Sequence, residues 1–77
     1  MSNRVSKQSK AIEALFLLAE TATVKELYEA LFGEVVGTKT NRELSQAIGP
    51  ALTRYCRRSG NDVHPTGEPY TYAIAYA

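Results

Sequence analysis

The stretch KTNRELSQAIGPALTRYCRR, residues 39 to 58, gathers hydrogen-bonding and cationic side chains at helical spacing. If Leu44, Ala47, Ile48, Ala51, Leu52 and Tyr55 form the buried stripe of a helix, its opposite side shows Asn41, Arg42, Ser45, Gln46, Gly49 and Thr53. These side chains carry the heads that read base edges. Arginine bonds guanine with two donors, asparagine and glutamine bond adenine, and serine and threonine bond several edges. A glycine among them lets a backbone approach closely. Lys39, Arg54, Arg57 and Arg58, with His64 further along, supply cations suited to phosphates, which set register without reading sequence. The amides of the first helical turn offer a further phosphate site. The same residue types also make an ordinary solvated helix face, and the Arg57–Arg58 pair also complements the dipole of a helix end.

Other chemistries find no support in the residue types. The single cysteine, Cys56, has no partner within the chain for a disulfide, and with one histidine, His64, soft ligands are too few for a structural zinc site. Cys56 flanks the apolar stripe and has no base candidate beside it, so it reads as a small, half-buried hydrophobe rather than a nucleophile. Glu26 and Glu43 each stand three residues after a threonine and are explained as capping carboxylates, not as a catalytic pair. There is no phosphate-cradling glycine loop and no nucleophile elbow. The expectation is a protein that binds without catalysing, and that uses no metal, cofactor or small-molecule substrate.

A chain of 77 residues is expected to form one domain, and at this size nearly every apolar stripe must be used. The net charge of +1 says little, but its distribution is sorted. Residues 1 to 10 carry only cations (Arg4, Lys7, Lys10), residues 11 to 37 set Lys25 against five glutamates, and residues 38 to 64 are again basic. No apolar run approaches the roughly 18 to 20 residues of a membrane span, and the opening decapeptide lacks the pattern of a secretory signal. A cytoplasmic location is expected, on the nucleoid if DNA is the partner. The start at Met1 and the end just after a strand suit a complete small protein.

Three helices and a hairpin must position these groups. Ala11, Ile12, Leu15, Phe16, Leu18 and Ala19 predict a first helix from Ser9 to about Ala19, preceded by a flexible basic arm over residues 1 to 8. Thr23 and Glu26 form a capping box that opens a second helix over about 24 to 32, with Val24, Leu27, Tyr28 and Leu31 inward and Gly33 beyond its last turn. Val35 and Val36 are available to pin the connection that follows. A second box, Thr40 with Glu43, opens the third helix over 41 to 58. Its apolar phase runs through Gly49-Pro50 without a slip, which predicts one helix kinked near Ile48. Residues 61 to 64 and 70 to 76 predict a β-hairpin about the turn 65 to 69, Tyr70, Tyr72, Ile74 and Tyr76 alternating with small residues as packing positions. A minimal third strand is predicted around Ala22 to Val24.

This α+β order of helix, helix, helix and hairpin, with TNRELSQAIGPALTRY leading into Arg57-Arg58, a turn and PYTYAI, resembles the winged helix-turn-helix family. The resemblance spans nearly the whole chain, residues 9 to 77. It implies double-stranded DNA as partner, the third helix in the major groove and the hairpin as the wing. The role it implies is a small transcription regulator or a replication or recombination accessory factor of phage or plasmid type. The last strand, read as an open edge, predicts a homodimer formed through Tyr70 to Ala77. The alternatives are a winged helix that binds protein, through the acidic second helix or the tyrosine strand, and a structural piece of a larger chain.

Overall fold

The computed structural model describes residues 7–77. The elements are α1 (Lys7–Leu18), β1 (Thr21–Thr23), α2 (Val24–Phe32), α3 (Asn41–Ser59), β2 (Asp62–Pro65) and β3 (Thr71–Ala75). The chain is an α+β protein with three helices and a three-stranded antiparallel sheet ordered β1-β3-β2. Residues 1 to 6 of the expected basic arm lie outside the described residues, while Lys7 and Gln8 belong to α1.

Local signals set the helix ends. In α2 the Thr23 hydroxyl accepts from the Glu26 amide at 3.2 Å and the Glu26 carboxylate accepts from the Thr23 amide at 2.9 Å. The same reciprocal pair joins Thr40 and Glu43 at the start of α3, at 3.2 and 2.8 Å. Two amides that no helical carbonyl can reach are thereby satisfied at each start. Gly33 and Gly60 stop the two helices at φ 67° and 79°, a left-handed conformation that costs glycine little. Helix α3 runs as one element through Pro50. Proline cannot donate to the Gln46 carbonyl, and this loss is tolerated because Gln46 and Pro50 both lie on the solvent side.

The core is one cluster. Ile12 and Phe16 of α1, Val24, Leu27, Tyr28 and Leu31 of α2, and Leu44, Ile48, Ala51, Leu52 and Tyr55 of α3 are buried together with Ala22 of β1. Val63, Tyr72 and Ile74 of the sheet pack against it half-buried. Six expected core or packing positions fall outside it. Leu18 is 88% exposed, Ala19 and Ala47 are also exposed and Ala11 is only half-buried, because periodicity marks the direction of a stripe but not how far a neighbour covers its rim. Tyr70 and Tyr76 stand just before and just after β3, where no helix covers them, and are exposed. Of the two valines after α2, Val36 packs on the core and Val35 stays in solvent.

The sheet corrects the expected dimer edge. Thr21, Ala22 and Thr23 of β1 pair with Ala73, Tyr72 and Thr71, and Asp62 to Pro65 of β2 pair with Ala75 back to Tyr72. Strand β3 is therefore central, flanked by a strand on each side, and offers no free edge along Thr71–Ala73 for a second copy. Pro65 is accommodated because β2 is an edge strand. At the hairpin turn Tyr70 adopts φ 52° and its carbonyl accepts from the Val24 amide at 3.0 Å, which ties the turn to the start of α2. Among the described residues no helix is long and apolar enough to cross a membrane.

Candidate nucleic-acid interface

Helix α3 presents its polar residues in three directions, because 3.6 residues per turn spreads them around the axis. Arg42, Gln46, Gly49, Thr53 and Arg57, spaced by three and four, form the outward stripe directly opposite the buried one. Arg42, Gln46, Thr53 and Arg57 are exposed, and none of their side chains has a hydrogen-bond or ion-pair partner among the described residues. A Cβ built at Gly49 would meet no atom within 4 Å, so the stripe is open at its middle. Asn41 and Ser45 lie to one flank, Asn41 exposed at the helix start and Ser45 half-buried beside the core.

The cations expected to act together are parted. Arg57 lines a groove of about 470 Å³ between α3 and the β2–β3 hairpin, with Thr53, Cys56, Val63, Tyr72 and the carboxylate-bearing Asp62, with which it forms no ion pair. Arg54 and Arg58 lie on the opposite flank, where α3 faces α1. Lys39 stands in the connection before α3 with its ammonium 5.7 Å from the centre of the Tyr28 ring. That ring also lies against Phe32, and its hydroxyl donates to Glu34 at 3.2 Å, which fastens the long connection to α2. His64 is not brought to the helix cations. Its Nδ1 lies 3.2 Å from an Asp62 carboxylate oxygen, and strand alternation puts it on the other face of the hairpin from Val63 and Pro65.

The expected phosphate site at the start of α3 is already in use. Glu43 occupies the Thr40 amide, and this hydrogen bond, with that of the Thr40 hydroxyl and the nearby Lys39 charge, holds its carboxyl below the usual 4.5. The slight desolvation that works the other way is smaller than the leading hydrogen bond. An anionic carboxylate thus stands where a phosphate would have to come. Such a charge complements the helix dipole and repels a backbone that approaches end-on.

No protein-family model, no curated protein and no solved structure matches the chain. The site therefore rests on its own geometry. What that geometry provides is a rigid, doubly capped helix with one open hydrogen-bonding face and cations on both flanks. The far end of α3 is fixed by a polar network: the buried Tyr55 donates its hydroxyl to Glu13 of α1 at 3.2 Å and accepts from Asn61 at 2.9 Å. Ser59 donates to the Tyr55 carbonyl and accepts the Asn61 amide, while the Ala77 amide donates to Asn61. Desolvation, outweighing the Asn61 and Ser59 hydrogen bonds and aided by Glu13, raises the Tyr55 phenol above 10.0 and keeps it protonated.

Several contributors were not singled out as site residues from the sequence. Tyr72, Val63 and Pro65 build the hairpin wall of the groove, and Gln8 of α1 reaches Arg54. Cys56 accepts the Val63 amide at 3.4 Å, joining β2 to α3. The spacing held one usable signal: Thr53 and Arg57 share one helical direction, Arg54 and Arg58 another. Among the described residues no group of three or more histidine, cysteine or acidic side chains could hold a metal ion.

Proposed function

We propose that the chain is a non-catalytic, double-stranded-DNA-binding protein of winged-helix layout, with α3 in the major groove and the β2–β3 hairpin as the wing. The observation that carries this is the outward stripe Arg42, Gln46, Gly49, Thr53 and Arg57 on a helix capped at both ends. Free, long hydrogen-bonding side chains on a preformed helix are what base-edge recognition needs, since the backbone is already ordered and only the side chains must be ordered at binding. Arg42, Gln46 and Thr53 read bases, with Asn41 and Ser45 at the margin of the same surface. Arg57 holds a phosphate on the wing side. Regulation of transcription, or assistance in replication or recombination, is the role such a small domain would serve.

Fluorescence anisotropy with random duplexes, and with DNA taken from around the coding sequence, tests this at low and moderate salt. Binding that weakens with salt and is tighter on one sequence class supports the reading; no binding to any duplex at about 50 mM salt, where counterion release is still strongly favourable, sinks it. A protein-binding role is the second reading. It is favoured by Leu17 and Leu18, 79% and 88% exposed at the end of α1, which DNA would not cover.

A further inference from the structure

Ala51, Arg54, Tyr55 and Arg58 of α3, spaced by three and four, face the first described turn of α1. With Gln8 and Ser9 they line a cleft of about 120 Å³. Two guanidinium groups thus converge on one small hollow, and among the described residues neither has a carboxylate within ion-pair distance. The Glu13 carboxylate of α1 accepts from the hydroxyl of Tyr55, which lines the cleft, and forms no ion pair with either arginine. Arg54 spends one donor on the Gln8 carbonyl oxygen at 3.4 Å, a long bond that orients the guanidinium and leaves its other donors unused. Lys7 and Lys10 of α1 add positive charge near this end.

We propose that this cleft seats one backbone phosphate of the bound duplex, held jointly by Arg54 and Arg58. The inference rests on the DNA reading and adds a second phosphate contact to it, across α3 from Arg57. A planar guanidinium matches phosphate oxygens with paired donors, and two of them on one hollow suit a single compact oxyanion better than an extended acidic peptide. The unpaired cations explain why α3 carries Arg54 and Arg58 on a side that the base-reading stripe does not use. A helix lying in a major groove has a phosphate strand along each flank, so cations on both flanks hold it from two sides.

Sharing gives the test a distinct signature. Each phosphate neutralised contributes about 0.9 to the slope of log affinity against log salt. With both arginines on one phosphate, Arg54→Gln or Arg58→Gln alone lowers the slope by much less than that, the double substitution lowers it by about 0.9, and Arg57→Gln adds its own 0.9 independently. Sequence preference survives all of these, and thermal melting of the double variant stays near normal because both side chains are exposed. An unchanged slope in the double variant while the wild type binds duplex overturns the cleft and leaves the DNA reading standing. Additive losses of about 0.9 for each arginine overturn the sharing. Failure of the wild type to bind any duplex overturns both. Inorganic phosphate, titrated against chloride at equal ionic strength and followed by the amide resonances of Gln8 and Ser9, separates the sources. Shifts that vanish in the double variant but persist in Arg57→Gln support the site; such shifts beside an unchanged duplex slope make it a free-phosphate cleft, overturn the proposal that it seats a duplex phosphate, and leave the DNA reading of the stripe standing.

Discussion

Thr23 and Glu26 start α2, Thr40 and Glu43 start α3, and in each helix a left-handed glycine donates its amide back to close the last turn, to Glu29 at 2.9 Å and to Cys56 at 3.0 Å. Both helices bury an apolar stripe in the same cluster. Their outer faces have nothing in common. Helix α2 shows Lys25, Glu26 and Glu29 to solvent, whereas α3 shows Arg42, Gln46, Thr53 and Arg57. The devices that make a helix are therefore independent of what the helix is for. Caps and core specify where it lies, and only the remaining positions are free to carry a partner's chemistry.

The largest effects should fall on what the two helices share. Leu27 of α2 and Ile48 of α3 are both 0% exposed. Replacing either with alanine leaves a cavity and should cost about 2 to 5 kcal/mol, enough to unfold much of so small a domain. Cooperative thermal or urea unfolding checks this. A loss confined to one of the two would show that the helices do not share one core.

The next effect should fall on one helix alone. Arg42→Ala or Gln46→Ala should weaken binding to the preferred duplex by about 1 to 3 kcal/mol and relax the choice of base pair, with non-specific affinity much less affected. Lys25→Ala and Glu29→Ala, the corresponding exterior of α2, should leave specificity unchanged. Anisotropy titrations on preferred and scrambled duplexes separate the two sets. Equal effects from both exteriors would contradict the division of labour, and an effect from α2 alone would favour a protein-binding surface.

What the sequence made legible follows the same division. The caps at Thr23, Thr40 and Gly33 depend on neighbours within about four residues, so spacing was enough to find them. The continuity of α3 through Pro50 was also legible, because the apolar phase never slips. Strand β3 was harder. Its alternation marked a strand, but its place in the middle of the sheet depends on Thr21–Thr23, roughly fifty positions away, and pairing at that range leaves no local trace. The rim of α1 failed for a related reason: Leu18 and Ala19 have the composition of core and the position of surface. In the site, helical arithmetic placed Arg42, Gln46 and Thr53 on one face. It could not show that Arg54 and Arg58 would meet Gln8, since that meeting is made by the packing of α1 on α3.

Smaller effects come from the caps, where the two helices should agree on stability and differ on binding. Thr23→Ala and Thr40→Ala each remove a side-chain acceptor from an orphan amide, with an expected loss of about 0.5 to 2 kcal/mol. Only Thr40→Ala should also reduce DNA affinity, by loosening the turn that carries Arg42. If Thr23→Ala weakens specific binding as much as Thr40→Ala at a temperature where both are folded, the start of α3 has no special part in recognition.

The smallest effect concerns the protonation of one carboxyl. Glu43 sits below 4.5 chiefly because its ionised form accepts the Thr40 amide, with the Thr40 hydroxyl next, and this cap stabilises the folded chain only while the group is charged. A folded value below the unfolded one means that the folded state binds the proton more weakly. The contribution is therefore complete above about pH 4.5 and is lost as pH falls through the lower, folded value. Side-chain carboxyl resonances followed by NMR should show Glu43 titrating below 4.5. Thr40→Ala should move it only part of the way back, because the backbone amide, the larger influence, remains. Glu43→Gln should remove this step from the acid limb of the stability profile. A full return to 4.5 in Thr40→Ala would assign the cap to the hydroxyl alone and overturn the order of causes. A neutralised Glu43 should also ease the approach of a phosphate to the start of α3, so Glu43→Gln should bind duplex slightly more tightly at low salt, provided its helix is still formed.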